Sequence, residues 1–310
     1  MMKKILVLTN FSTGAVYAAE FALHIAKTIG ASILIAHIIE PINQFVNDKV
    51  FDLVEKETND IINKNMIQLK KIEDNLNKIL PTKGVFNHRI EITKTVSFGT
   101  LALDVKKLIE KNSIDLVIIG SRKSNSISRF FLGSKTHTLL DKIECPILLI
   151  PESLKFEGIQ NITYATDLPL NNRKALQFLG NFAAYFNATV TVNHLSKDSF
   201  PAKKSEKNIE KSINDQLENN YKPVLYHTLK GNDVVEGLLE TLGNHKVDIL
   251  VMVHKKYLQL HGLLHVSLSK KMADKSFIPL LILPNCYVSE DDIFTDAQLD
   301  HFCFGTSDSL

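Results

Sequence analysis

Between Gly120 and Ser134 the chain reads Gly-Ser-Arg-Lys-Ser-Asn-Ser-Ile-Ser-Arg-Phe-Phe-Leu-Gly-Ser. These are the parts of an anion site. Gly133 lets backbone approach a ligand closely, and Ser134 can cap a following helix. A helix start offers free N–H groups and a positive dipole end to a phosphate. Arg122, Lys123 and Arg129 add charge, although the same three cations also read as a solvated loop.

Other residue types that could do chemistry are weaker candidates. His254, His261 and His265 lie close in sequence, and the last two share an i, i+4 spacing that could hold a metal on a helix. No carboxylate or cysteine lies between them, so surface or core histidines are the expectation, and no metal is expected. Ser12, Ser121, Ser124 and Ser134 sit in no G-x-S-x-G elbow and read as caps or phosphate contacts, not nucleophiles. Cys145, Cys286 and Cys303 form no C-x-x-C pair, which points away from a disulfide framework or zinc knuckle. Cys145 precedes an apolar run and reads as a packed thiol. No catalytic residue set emerges.

The elements around these residues follow from periodicity. Ile5–Leu8, Ile33–Ala36, Leu116–Ile119 and Ile147–Ile150 are short continuous apolar runs, as expected of strands covered on both faces of a parallel sheet. His88-Arg89-Ile90-Glu91-Ile92 alternates and reads as a strand nearer the edge. Helical stripes lie between the runs: Ala15 to Ile29 with Gly30 as stop, Phe51 to Ile79 before Pro81, and Leu101 to Ile109 after Gly99-Thr100. Strand and helix alternate, which predicts right-handed βαβ units.

The pattern is then written a second time. Ile162-Thr163-Tyr164-Ala165-Thr166-Asp167 matches Ile5 to Asn10, Asp248–Val253 matches Asp115–Gly120, and Pro279–Pro284 matches Pro146–Pro151. Two copies of one domain with a seam near 151–158 are expected: residues 1–151, residues 156–284, and a tail over 285–310. The second copy has a reduced, polar middle over 202–219, which reads as a short helix or a loop.

In doubly wound α/β sheets, ligands bind outside the carboxyl ends of the strands, where strand order reverses. That places Thr9-Asn10 opposite Gly120-Ser121. Here the sequence resembles the universal stress protein family. Asn10-Phe11-Ser12 resembles the family's Asp-Phe-Ser turn after strand one. Asp115–Arg122 resembles its fourth strand and loop entry, Leu132-Gly133-Ser134 its loop exit, and Cys145–Ile150 its last strand. The resemblance implies two Rossmann-like domains, each a doubly wound, five-stranded, mostly parallel sheet, packed as an intramolecular pseudo-dimer through the last strands Ile147–Ile150 and Leu280–Leu283, with further homodimerisation left open. Family members that bind ATP share a G-x2-G-x9-G-S/T loop and an Asp after strand one. Gly120, Gly133 and Ser134 fit that pattern; Lys123 replaces the middle glycine and Asn10 the aspartate. By this resemblance Thr9, Asn10, Ile38, Gly120, Arg122, Lys123, Gly133 and Ser134 surround a nucleotide. The second copy keeps Asp167 but has Val253, Lys256 and Val266 at the glycine positions, so triphosphate binding is not expected there.

Composition sets the class. The chain has 310 residues, 45% hydrophobic and 23% charged, with net charge +2. That gives no electrostatic case for nucleic acid or an anionic membrane. No run approaches the roughly 20 apolar residues of a transmembrane helix, and a reducing cytoplasm is the expected location. The expected function is a non-enzymatic, stress-responsive binding protein with ATP, ADP or AMP in the first copy, Mg²⁺ entering only with nucleotide, and unidentified protein partners. The alternatives are a nucleotide-independent interaction scaffold and, third, a slow ATPase or nucleotidyl transferase.

Overall fold

The computed structural model describes residues 2–40, 51–80, 90–123, 130–131, 134–152, 154–166, 173–196, 203–216, 222–230, 234–244, 246–254 and 268–287. Internal contacts divide the chain into two compact units, Met1–Phe156 with Ala273–Phe277, and Glu157–Met272 with Ile278–Leu310.

The first unit contains β1 (Lys4–Leu8), α1 (Thr13–Ile29), β2 (Ser32–Ile39), α2 (Phe51–Ile79), β3 (Ile92–Phe98), α3 (Leu101–Asn112) and β4 (Leu116–Gly120). A two-residue β5 (Arg122–Lys123), a two-residue β6 (Phe130–Phe131), α4 (Ser134–Lys142) and β7 (Ile147–Ile150) complete it. The sheet order is β7-β4-β1-β2-β3 and every pairing is parallel. Ile5, Leu6, Val7, Leu116, Val117 and Ile118 are fully buried, because both faces of these central strands are covered. Ala15, Ala18, Ala19, Ala22 and Ala26 line the buried stripe of α1. Their small side chains let the helix lie close on the sheet.

The second unit repeats the order: β8 (Asn161–Thr166), α5 (Arg173–Phe186), β9 (Thr189–Ser196), α6 (Lys203–Gln216), β10 (Leu225–Lys230), α7 (Val234–Asn244), β11 (Ile249–Val253), α8 (Leu268–Ala273) and β12 (Leu280–Leu283). Its sheet runs β10-β9-β8-β11-β12, again all parallel. A 3-10 turn at Asn285–Tyr287 follows; the tail from residue 288 lies outside the described residues.

The repetition extends to individual bonds. Asp115 Oδ2 accepts from Lys3 N at 2.7 Å and Lys4 N at 3.0 Å; Asp248 Oδ2 accepts from Gln160 N at 2.7 Å and Asn161 N at 2.8 Å. Each carboxylate so satisfies two amides at the start of the neighbouring first strand. The first helix of each unit ends in a left-handed residue, Gly30 at φ 71° and Asn187 at φ 52°. Ala31 N and Ala188 N then donate back to Ala26 O and Ala183 O.

Two expectations change. The third strand is Ile92–Phe98, not the stretch 88–92. Residues 88 and 89 lie outside the described residues, and Ile90 and Glu91 precede the strand. The true strand was disguised because Lys94 occupies an apolar-phase position, where its Nζ meets Glu73 Oε2 of α2 at 2.7 Å. That hydrogen bond, above all, holds the Glu73 carboxyl below the usual carboxylate range. The open reading of 202–219 resolves as a helix over Lys203–Gln216, 14 residues against 29 in α2.

Candidate functional site

Strand order reverses between β1 and β4: the chain builds β2 and β3 on one side of β1, then crosses to β4 on the other. Register pairs Leu8 with Ala36 and with Ile119, so Thr9, His37 and Gly120 emerge at one level of the carboxyl edge. Ile38 follows on β2, half-buried and opposite Ser97 of β3. Arg122 and Lys123 continue from β4 as β5.

The turn after β1 is built almost entirely from its own side chains. Thr9 N donates to Ala36 O at 2.9 Å, and Phe11 N donates to Thr9 Oγ1 at 3.0 Å. Ser12 N donates to Asn10 Oδ1 at 3.1 Å, an Asx turn. Ser12 caps α1 by accepting from Ala15 N at 3.4 Å. These bonds hold Phe11 at φ 62°, a left-handed conformation that costs a bulky residue on the order of 1 kcal/mol or more. Strain of this kind persists only where its surroundings over-determine it.

One such surrounding group is His37, which sequence reading missed. Its Nδ1 lies 2.7 Å from Thr9 O, and its ring centroid lies 4.5 Å from that of Phe11. The signal that could have found it is repetition: His194 stands at the same register position in the second unit, paired with Thr166 as His37 is level with Thr9.

Gly120 is explained by packing. A Cβ there would strike the Gly14 carbonyl and lie 2.7 Å from Ala15 N; a Cβ at Gly14 would strike the Ser121 carbonyl. The two glycines let the first turn of α1 rest on the end of β4. Ser121 is buried and anchors the departing chain, its N–H donating to Ile150 O at 2.9 Å and its Oγ to the same oxygen at 3.3 Å. Beyond it, Arg122 pairs with Phe131 and Lys123 with Phe130 in a short antiparallel ladder. Lys123 therefore has extended backbone, which needs no glycine. α4 begins at Ser134 itself. Gly133 and Arg129 lie outside the described residues. The structure thus gathers Thr9, Asn10, Ile38, Gly120, Arg122 and Lys123 at one sheet edge.

A separate groove of about 650 Å³ runs beside α1, with Phe11, Tyr17, Phe21, His24 and Phe156 in its wall. His24 stacks on Phe156 at 4.7 Å with the rings nearly parallel. Burial, then the Lys27 charge, push the imidazole below its ordinary range, against a smaller opposing pull from Glu20.

In the second unit His254 N donates to Leu283 O at 2.8 Å, which makes His254 the counterpart of Ser121. Its imidazole is buried, with Nδ1 2.9 Å from Ser269 Oγ of α8. The core-histidine expectation holds for this residue; His261, His265 and Asp167 lie outside the described residues. Cys145 is buried with Sγ 3.5 Å from Ile114 O, as a packed thiol should be. Among the described residues no helix is long and apolar enough to cross a membrane.

Comparison with known proteins agrees with this architecture. Two universal stress proteins of Methanocaldococcus jannaschii are each 24% identical, over 160 and 162 residues, which are 48% and 50% of this chain and 95% and 85% of theirs. A solved universal stress protein from Archaeoglobus fulgidus superposes with TM-score 0.66 at 15% identity, over 91% of this chain and 98% of that one. A second, from Pseudomonas aeruginosa, gives 0.56 at 13%, over 91% and 93%. The profile of the universal stress protein family matches twice, at residues 1–151 and 158–284. With that double match and the same doubly wound unit built twice, the chain belongs to the universal stress protein family as a tandem member.

Proposed function

We propose that the first repeat binds an adenine nucleotide at the carboxyl edge of its sheet, and that the protein is a nucleotide-responsive stress regulator without efficient turnover. The observation that carries this reading is the reversal of strand order between β1 and β4, with Thr9 and Gly120 side by side at it. The bonded turn through Thr9, Asn10 and Ser12 presents a preformed polar edge beside Ile38. Ser134 opens α4, and a helix start suits a phosphate. Occupancy would shift partner binding or assembly.

A second reading, a nucleotide-independent scaffold, draws on the ladder between Arg122–Lys123 and Phe130–Phe131, where an open glycine loop would otherwise cradle phosphate. Calorimetric titration of ATP, ADP and AMP, with and without Mg²⁺, into the intact protein and a Gly133→Val variant separates the two. Another universal stress protein has been solved with cAMP, so cAMP joins the titration. Micromolar binding that the variant loses supports the nucleotide reading. Absence of heat and of thermal stabilisation at millimolar nucleotide leaves the scaffold. Release of phosphate at more than a trace rate would sink the claim of inefficient turnover.

A further inference from the structure

We propose that His37 is a specificity residue of the first-repeat edge, its Nε2 accepting a hydrogen bond from the exocyclic amino group of a bound adenine. This rests on the nucleotide reading above. The Thr9 carbonyl can only accept, so the 2.7 Å contact makes Nδ1 the protonated nitrogen of the neutral ring. Nε2 is then an acceptor. It is not sealed in the core, and no hydrogen-bond partner takes it up among the described residues. The ring is steadied on two sides, by its bond to Thr9 and by Phe11 at 4.5 Å.

Asn10 supplies the complementary half. Its Oδ1 is committed to the Ser12 N–H, which leaves the two Nδ2 hydrogens as its outward donors. The edge therefore offers an acceptor from β2 and a donor from the turn after β1, the neighbouring strand. The amino edge of adenine carries a donor at N6 beside an acceptor at N1. A 6-oxo purine carries an oxygen where adenine donates, so Nε2 would face an acceptor and stay unpaired. A site built to pair a ligand N–H discriminates strongly against the analogue that lacks it. The second repeat does not offer the same group: His194 is buried, its ring 6.3 Å from that of Tyr226.

The experiment is a titration of the full chain with ATP and with ITP, its 6-oxo counterpart, in wild type and His37→Phe. The variant keeps a ring against Phe11 and removes both nitrogens. Wild type is expected to bind ATP about 10-fold more tightly than ITP, and in His37→Phe that ratio falls to about 3-fold, the remainder coming from Asn10, which meets N1–H in the 6-oxo ring. If the variant weakens both nucleotides together and keeps the ratio, His37 only shapes the turn and the inference fails. Equal affinities in wild type overturn it without the variant, which keeps the test decisive should His37→Phe not fold. Absence of binding by either nucleotide overturns the nucleotide reading itself.

Discussion

At the end of its fourth strand the first repeat carries Gly120 beneath the opening turn of α1, and the chain leaves through Ser121 into a ladder. At the same place the second repeat carries Val253, and the chain leaves through His254, a buried imidazole against Ser269. One edge is closed by backbone packing. The other is closed by a side chain reaching to α8. The same strand order thus supports two kinds of closure. A fold therefore fixes where a site can be, while the residues just past the strand ends decide whether it is one.

The strongest way to break the comparison is to give the first repeat the residue of the second. Gly120→Val drives a branched side chain into Gly14 and Ala15. A loss of about 3 kcal/mol is expected, read as a lower denaturation midpoint. An unchanged midpoint would remove the packing account of Gly120. The converse test is His254→Ala, which removes the bond to Ser269 and opens space in the second unit. About 2 kcal/mol should be lost there; a change below about 0.5 kcal/mol would show that the buried bond does not close that edge.

Asn10→Asp moves the first repeat towards Asp167 of the second and towards the ATP-binding pattern. A carboxylate can only accept, so the donor offered to adenine N1 is lost, and nucleotide binding is expected to weaken about 10-fold, measured by calorimetry at fixed salt. Equal or tighter binding would show that the Asn10 amide does not meet the base. The smallest effect concerns α1, where Asn181 of the second repeat stands in place of His24. His24→Asn removes a ring stacked on Phe156 and should cost about 0.5–1 kcal/mol at neutral pH. Because the folded imidazole sits below its ordinary value, the unfolded chain protonates first as pH falls, so the wild type loses this advantage progressively below about pH 6.5. The gap between the two proteins should narrow in acid; a constant gap would contradict the assigned direction.

Much of the fold was legible because the central strands are apolar on both faces. Ile5–Leu8 and Leu116–Ile119 could hardly be anything but buried parallel strands, and their copies at Ile162 and Ile249 confirmed the period. β3 was misplaced because burial at the sheet border is partial and Lys94 interrupts its apolar phase. The β5–β6 ladder was invisible: two-residue strands carry no periodicity. At the site, Asn10 and Gly120 were found through a motif, yet the contact that demands a glycine at 120 is α1, which no spacing within the loop announces. His37 was missed since a single histidine in an apolar strand looks like core. Only its alignment with His194 across the repeat marks it.

The aspartates at the opposite edge carry a different consequence. Asp115 and Asp248 each tie down two amides with one carboxylate oxygen. Such a clamp fixes the amino-terminal edge of each sheet through bonds that involve no residue at the far ends of the strands. The two repeats can therefore keep one edge alike while the other differs, as Gly120 and Val253 do. Each sheet thus carries a constant edge and a variable one, and the constant edge is a fixed reference against which the difference at the other can be read.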